Sequence, residues 1–164
     1  FEQASGFLHQ ARQQLSEVKS SLLRHHDIYH TGYVSDAQKE YAEASAIFAF
    51  MANTSLPSHR DLDVEIGPYL NGLAEAASEL RRAILDKLRK NDIAPCEDWM
   101  STMDEVYSLL ITIDFPDSIT SGLRRSTDQL RSVLERTRGD LTVALRQHSL
   151  EQLMTKLEDS LEKE

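Results

Sequence analysis

A single cysteine, Cys96, stands in a chain of 164 residues. That excludes a disulfide framework and a thiolate zinc site, and it points to a reducing compartment, hence to the cytoplasm. No apolar run approaches the roughly 20 residues of a membrane span. The six histidines make no zinc-protease pattern, and the chain has neither a phosphate-cradling glycine loop nor a nucleophile elbow. Glu-x-x-His pairs are missing, which sets aside a di-iron carboxylate bundle. Positive charge is scarce: 18 Lys and Arg stand against 27 Asp and Glu, for a net charge of -9. A protein that grips nucleic acid over its whole outer surface is thereby excluded, and basic residues would have to be gathered in one place to bind it. The chain opens at Phe1 rather than Met, which points to a trimmed start that could have carried a targeting segment.

What is present is an ordinary folded composition, 40% hydrophobic and 27% charged, long enough for one domain over residues 1–164 with a core that needs no staples. No strand alternation occurs. Phe7, Leu8, Ala11, Leu15, Val18, Leu22 and Leu23 recur at helical spacing over residues 3–29. A second helix is expected from Ser35, with Gln38 completing a capping box, to about Asn53. The third segment, Leu62 to about Lys90, carries Ile66, Leu70, Leu73, Ala77, Leu80 and Ile84 as a packing seam, with helix proper beginning near Gly67-Pro68. Beside it Gly72, Ala76 and Ala83 form a stripe of small residues that another helix could approach closely. A fourth helix is expected over 97–113, with Trp99, Met103, Val106, Tyr107, Leu110 and Ile111 inward. The last segment runs through Leu123, Leu130, Leu134, Leu141 and Leu145 to Leu150, Leu153, Leu157 and Leu161, and Gly139-Asp140 is expected to end one helix and cap the next. The fold class is an all-α antiparallel helical bundle of about six to seven helices.

The unusual feature is acidic. At 100° per residue Glu40 and Glu43 fall on the side of the second helix that carries Ala44, Ile47 and Met51. A carboxylate on an apolar side must be paired, protonated or metal-bound, unless those turns emerge into solvent. Glu75 and Glu79 share one face of the next helix at i, i+4. Four carboxylates meeting across an antiparallel helix pair would repel strongly without protons or cations, and hard oxygen donors of this kind suit Mg2+ or Mn2+. A solvated polar face explains Glu75 and Glu79 equally well. At the end of the first helix, Arg24, His25, His26, Tyr29, His30 and Tyr33 mix cations with aromatics as single-stranded RNA binders do, although helix C-termini favour Arg and His in any case.

Two blocks resemble the translin and translin-associated factor X family. HRDLDVEIGPYLNGLAEAASELRR, residues 59–82, is similar to a translin helix with Leu-Asp-Val-Glu, Tyr-Leu-x-Gly and Ala-Ser-Glu-Leu runs. QKEYAEA, residues 38–44, resembles the Gln-Glu-Tyr-Val-Glu-Ala run of translin's catalytic partner. The mixture is that of an archaeal-type translin-like protein. The resemblance implies an all-helical subunit of a hollow octamer that cleaves RNA inside with a metal ion, Mg2+ or alternatively Mn2+. Glu40, Glu43 and Glu79 match acids of the partner's site, and Glu75 stands where that partner has Asp. His30, which follows an aromatic residue, also resembles an aromatic-His pair of the family and is thereby raised as an RNA contact; Arg24, His26 and Tyr29 are expected beside it from the cation-aromatic cluster, since the family's Arg- and His-rich stretch is only partly reproduced. The expected activity is therefore a metal-dependent endoribonuclease acting on single-stranded or small RNA within a closed homo-oligomer, negative outside and basic within. The alternatives are a non-catalytic RNA- or DNA-binding oligomer and a purely structural helical adaptor.

Overall fold

A computed structural model describes residues 1–22 and 24–161; Leu23, one of the residues assigned to the first helix, lies outside the described residues. The described chain forms eight helices and no strand: α1 Glu2–Ser21, α2 His26–Tyr29, α3 Gly32–Ala52, α4 His59–Leu62, α5 Ile66–Leu88, α6 Cys96–Leu110, α7 Asp117–Thr120 and α8 Leu123–Leu161. Three of these are single turns, which accounts for the excess over six or seven. Among the described residues no helix is long and apolar enough to cross a membrane.

The α5 helix is the axis of the bundle. Its expected seam is buried at Leu70, Leu73, Ala77, Leu80 and Ile84, with only Ile66 left exposed at the first turn. Around it pack Cys96, Met100, Met103, Val106 and Leu110 of α6, and Leu123, Leu130, Leu134 and Leu141 of α8. Short connections make α5 and α6 antiparallel, as Cys96 lying under Ile84 requires. The α3 and α5 helices instead run in the same direction, because residues 53–65 travel back along α3 before α5 begins. Gln38 thus meets Glu65 at the start of both helices, and Met51 lies near Ala83 towards their ends.

Four local expectations are revised. The α3 helix starts one turn before Ser35, behind Thr31, without a side-chain cap. Gln38 is buried and accepts the Glu65 N–H at 2.6 Å, so it caps α5 rather than its own helix. Residues 3–29 are not one helix. The chain turns between Leu22 and His25, since α1 buries no residue fully and the turn lets the Tyr29 hydroxyl reach Gln38 Nε2 at 3.3 Å. Gly139-Asp140 does not interrupt α8: Leu130, Leu134, Thr137 and Leu141 keep one buried face, and Asp140 pairs with Arg81 of α5 at 2.8 Å.

Asn71 fastens α5 to the α7–α8 corner. Its amide donates to the carbonyls of Gly67 and Thr120 at 2.9 and 2.7 Å, and its oxygen accepts from the Ser126 hydroxyl at 2.7 Å. Asn71→Ala leaves the Thr120 carbonyl and the Ser126 hydroxyl without that partner, so urea denaturation is expected to show a loss of about 2 kcal/mol.

Candidate functional site

The α3 and α5 helices touch backbone to backbone. A Cβ placed on Gly72 would stand 2.6 Å from the Lys39 carbonyl oxygen and 2.9 Å from the Glu43 nitrogen. The buried face of α3 is correspondingly small or polar: Gln38, Ala42, Ser45, Ala46 and Ala49, with Val34 and Tyr41 towards its start. Of the Ala44, Ile47 and Met51 side, which reads as the apolar stripe in sequence, only Ile47 packs against the core, and only in part. Together with Glu40 this side lines an open apolar groove beneath α1.

Close approach brings the acids together. Glu40, Glu43 and Glu75 each present a carboxylate oxygen within 4.8 Å of the others, the one such group among the described residues. Glu40 is exposed; Glu43 and Glu75 are half-buried. Glu79 stands one turn beyond Glu75, exposed and outside the trio. It lines a cleft of about 230 Å3 with Glu43, Glu75, Ser78, Ser126 and Gln129. The structure therefore gathers three of the four expected acids and sets the fourth on an adjoining wall.

Lys39, absent from the sequence-based site, sits among them. Its ammonium reaches both oxygens of Glu75, at 2.9 and 2.8 Å, and lies 3.4 Å from Glu40. The hydrogen bond to Glu75 is the chief reason its pKa is raised. The only hint in sequence was its i, i+4 spacing to Glu43. One cation does not balance three carboxylates. Burial first, then the charges of Glu75 and Glu40, push the Glu43 carboxyl up to about 7, with Lys39 opposing. Hard oxygen donors in this number and proximity fit Mg2+ or Mn2+, which would relieve the same crowding.

The expected RNA-contact residues divide. Arg24, His26 and His30 are exposed, and the rings of His26 and His30 stack with centroids 6.4 Å apart. Tyr29 is half-buried and tied to Gln38. Burial, followed by the neighbouring Glu65 carboxylate, raises its pKa. Tyr33 is 85% exposed at the start of α3.

Fold and cluster together define an all-α bundle with a carboxylate centre shared by two touching helices. No family model matches the chain. It is similar to AfC3PO, known from a crystal structure, with 33% identity, a TM-score of 0.77, and coverage of 87% of this chain and 74% of that one. AfC3PO in complex with duplex RNA matches at 32% identity and a TM-score of 0.64, covering 86% and 76%. Apo-NeC3PO, at 20% identity and a TM-score of 0.76 over 87% and 74%, shares the fold. An uncharacterized protein of Methanocaldococcus jannaschii is 29% identical over 134 residues, 81% of this chain; the match spans 60% of that relative's length. The chain belongs to the translin family.

Proposed function

We propose that this chain is a subunit of a hollow homo-oligomer, an octamer by family resemblance, that cleaves single-stranded or small RNA with Mg2+ or Mn2+. The observation that carries the reading is the convergence of Glu40, Glu43 and Glu75 within 4.8 Å. These three would hold the ion, with Glu79 on the wall of the adjoining cleft as the fourth acid. Bound there, the ion would supply an activated water and neutralise charge developing on a phosphodiester. Before an ion enters, Lys39 holds Glu75, and the backbone contact at Gly72 keeps the two helices at the spacing the trio needs. RNA as the ligand is supported by the complex of AfC3PO with duplex RNA. His26 and His30 offer exposed stacked rings, and Arg24 an exposed guanidinium, for its strand.

One observation favours a second reading, a non-catalytic RNA-binding oligomer: Lys39 already pairs with Glu75 and Glu40, so the acids have a partner without any metal. The test is incubation of labelled single-stranded and duplex RNA with Mg2+, with EDTA, and with Glu40→Ala/Glu43→Ala protein of unchanged oligomer size. Metal-dependent cutting that falls to background in the intact mutant oligomer is the expected result. Binding with equal background in all arms would leave an RNA-binding shell.

A further inference from the structure

We infer that Lys39 is an internal counter-ion that exchanges with the divalent ion, leaving the carboxylates as the metal enters and turning into the adjoining polar cleft to meet a substrate phosphate. The inference rests on the metal reading above and assigns Lys39 a role within it. The ammonium occupies the space between Glu75 and Glu40, two members of the trio, so it and a metal ion compete for the same oxygens. Like charges at that range repel strongly, and a bound divalent ion would drive the ammonium off. Its destination is built into the surface. Lys39 also lines a polar cleft of about 420 Å3 that opens on Glu75 and includes Ser35, Asp36, Arg125 and Gln129. Lys39 already lines this cleft together with Glu75, and its flexible four-carbon stem lets the ammonium turn into it by side-chain rotation alone. With Lys39 released beside Arg125, the cleft holds two cations against Asp36 and Glu75, the latter then engaged by metal. That balance suits the backbone phosphate next to the one being cut. Lys39 is thus a positioning residue whose charge moves from the protein's acids to the substrate.

The test is titration calorimetry of Mn2+ at pH 8 on the whole oligomer, comparing the unsubstituted protein with Lys39→Met and Lys39→Gln. Circular dichroism and oligomer size serve as fold checks. Removing the competing charge is expected to tighten Mn2+ binding about three- to tenfold in both variants. A second arm measures affinity for a short RNA in Ca2+ and in EDTA. The gain in RNA affinity on adding Ca2+ is expected to be about threefold smaller in the variants, because only the unsubstituted chain releases an ammonium to the phosphate. Unchanged or weaker Mn2+ binding in folded variants overturns the exchange, and an equal gain in RNA affinity overturns the phosphate contact. Failure of the unsubstituted protein to bind Mn2+ at all would instead overturn the metal reading beneath both.

Discussion

Gly72→Val is expected to lower stability by about 3 kcal/mol and to remove metal-dependent cleavage, although Gly72 carries no functional group. The Cβ position is already closed by the Lys39 carbonyl at 2.6 Å and the Glu43 nitrogen at 2.9 Å. Both obstacles are backbone, so no side-chain rotation makes room. The helices must separate, and overpacking of this kind costs about 1–3 kcal/mol, with the branched side chain at the upper end. Separation also draws Glu43 away from Glu75, dispersing the trio. Gly72→Ala is the graded control: it meets the same obstacles, but about 1 kcal/mol of improved helix propensity offsets part of the cost. Urea denaturation reads the first effect, and Mn2+ titration with cleavage of labelled RNA reads the second. A valine variant with unaltered stability and metal affinity would mean that the helices do not meet at this residue.

Glu43→Gln is expected to move activity and stability in opposite directions. Cleavage should fall at least about a hundredfold, because a neutral amide replaces one carboxylate of the proposed metal-binding trio. The metal-free protein should become more stable at pH 8. The folded-state pKa of Glu43 is raised from 4.5 to about 7, so the fold favours its protonated form. That contribution is complete below about pH 4.5 and is lost as pH rises through about 7. Above neutrality the ionised carboxylate therefore costs the fold about 1–2 kcal/mol once solvent screening of a half-buried group is allowed for. Thermal melts in EDTA should show the unsubstituted protein losing stability between about pH 5 and pH 8, and the glutamine variant losing less. Added Mg2+ should restore the first and leave the second unmoved. Identical pH profiles would show that Glu43 is not crowded by its neighbours.

Much of this arrangement was legible in the sequence, for reasons that differ residue by residue. The α5 seam was plain because Leu70, Leu73, Leu80 and Ile84 are large and regularly spaced, and the stripe of Gly72, Ala76 and Ala83 marked a close helix approach because small residues recur along it. The buried face of α3 was hidden by the same smallness. Ala42, Ser45, Ala46 and Ala49 contribute little to an apolar pattern, whereas Ile47 and Met51 dominate it and line a groove, with Ile47 only partly packed against the core. The shared direction of α3 and α5 was also invisible, since it depends on residues 53–65 running the length of a helix and not turning at once. Lys39 escaped notice because its partner Glu75 is 36 residues away and periodicity reports only contacts within a helix. The break assigned to Gly139 followed a rule about glycine that a salt bridge and a buried leucine face override.

The absence of any side chain between α3 and α5 at Gly72 has a consequence for how such a centre can vary. Where two helices are kept apart by interlocked side chains, their spacing drifts as those residues change in size. Here main chain rests on main chain, so the gap works as a caliper with a fixed stop. Its reach is set only by the lengths of the acids it carries, and exchanging Glu for Asp withdraws an oxygen by about one carbon–carbon bond, roughly 1.5 Å. The oxygen distances preferred by magnesium and calcium differ by only about 0.2–0.6 Å. On a fixed caliper, the span between the acids therefore changes only in steps of one methylene, at position 75 or at positions 40 and 43.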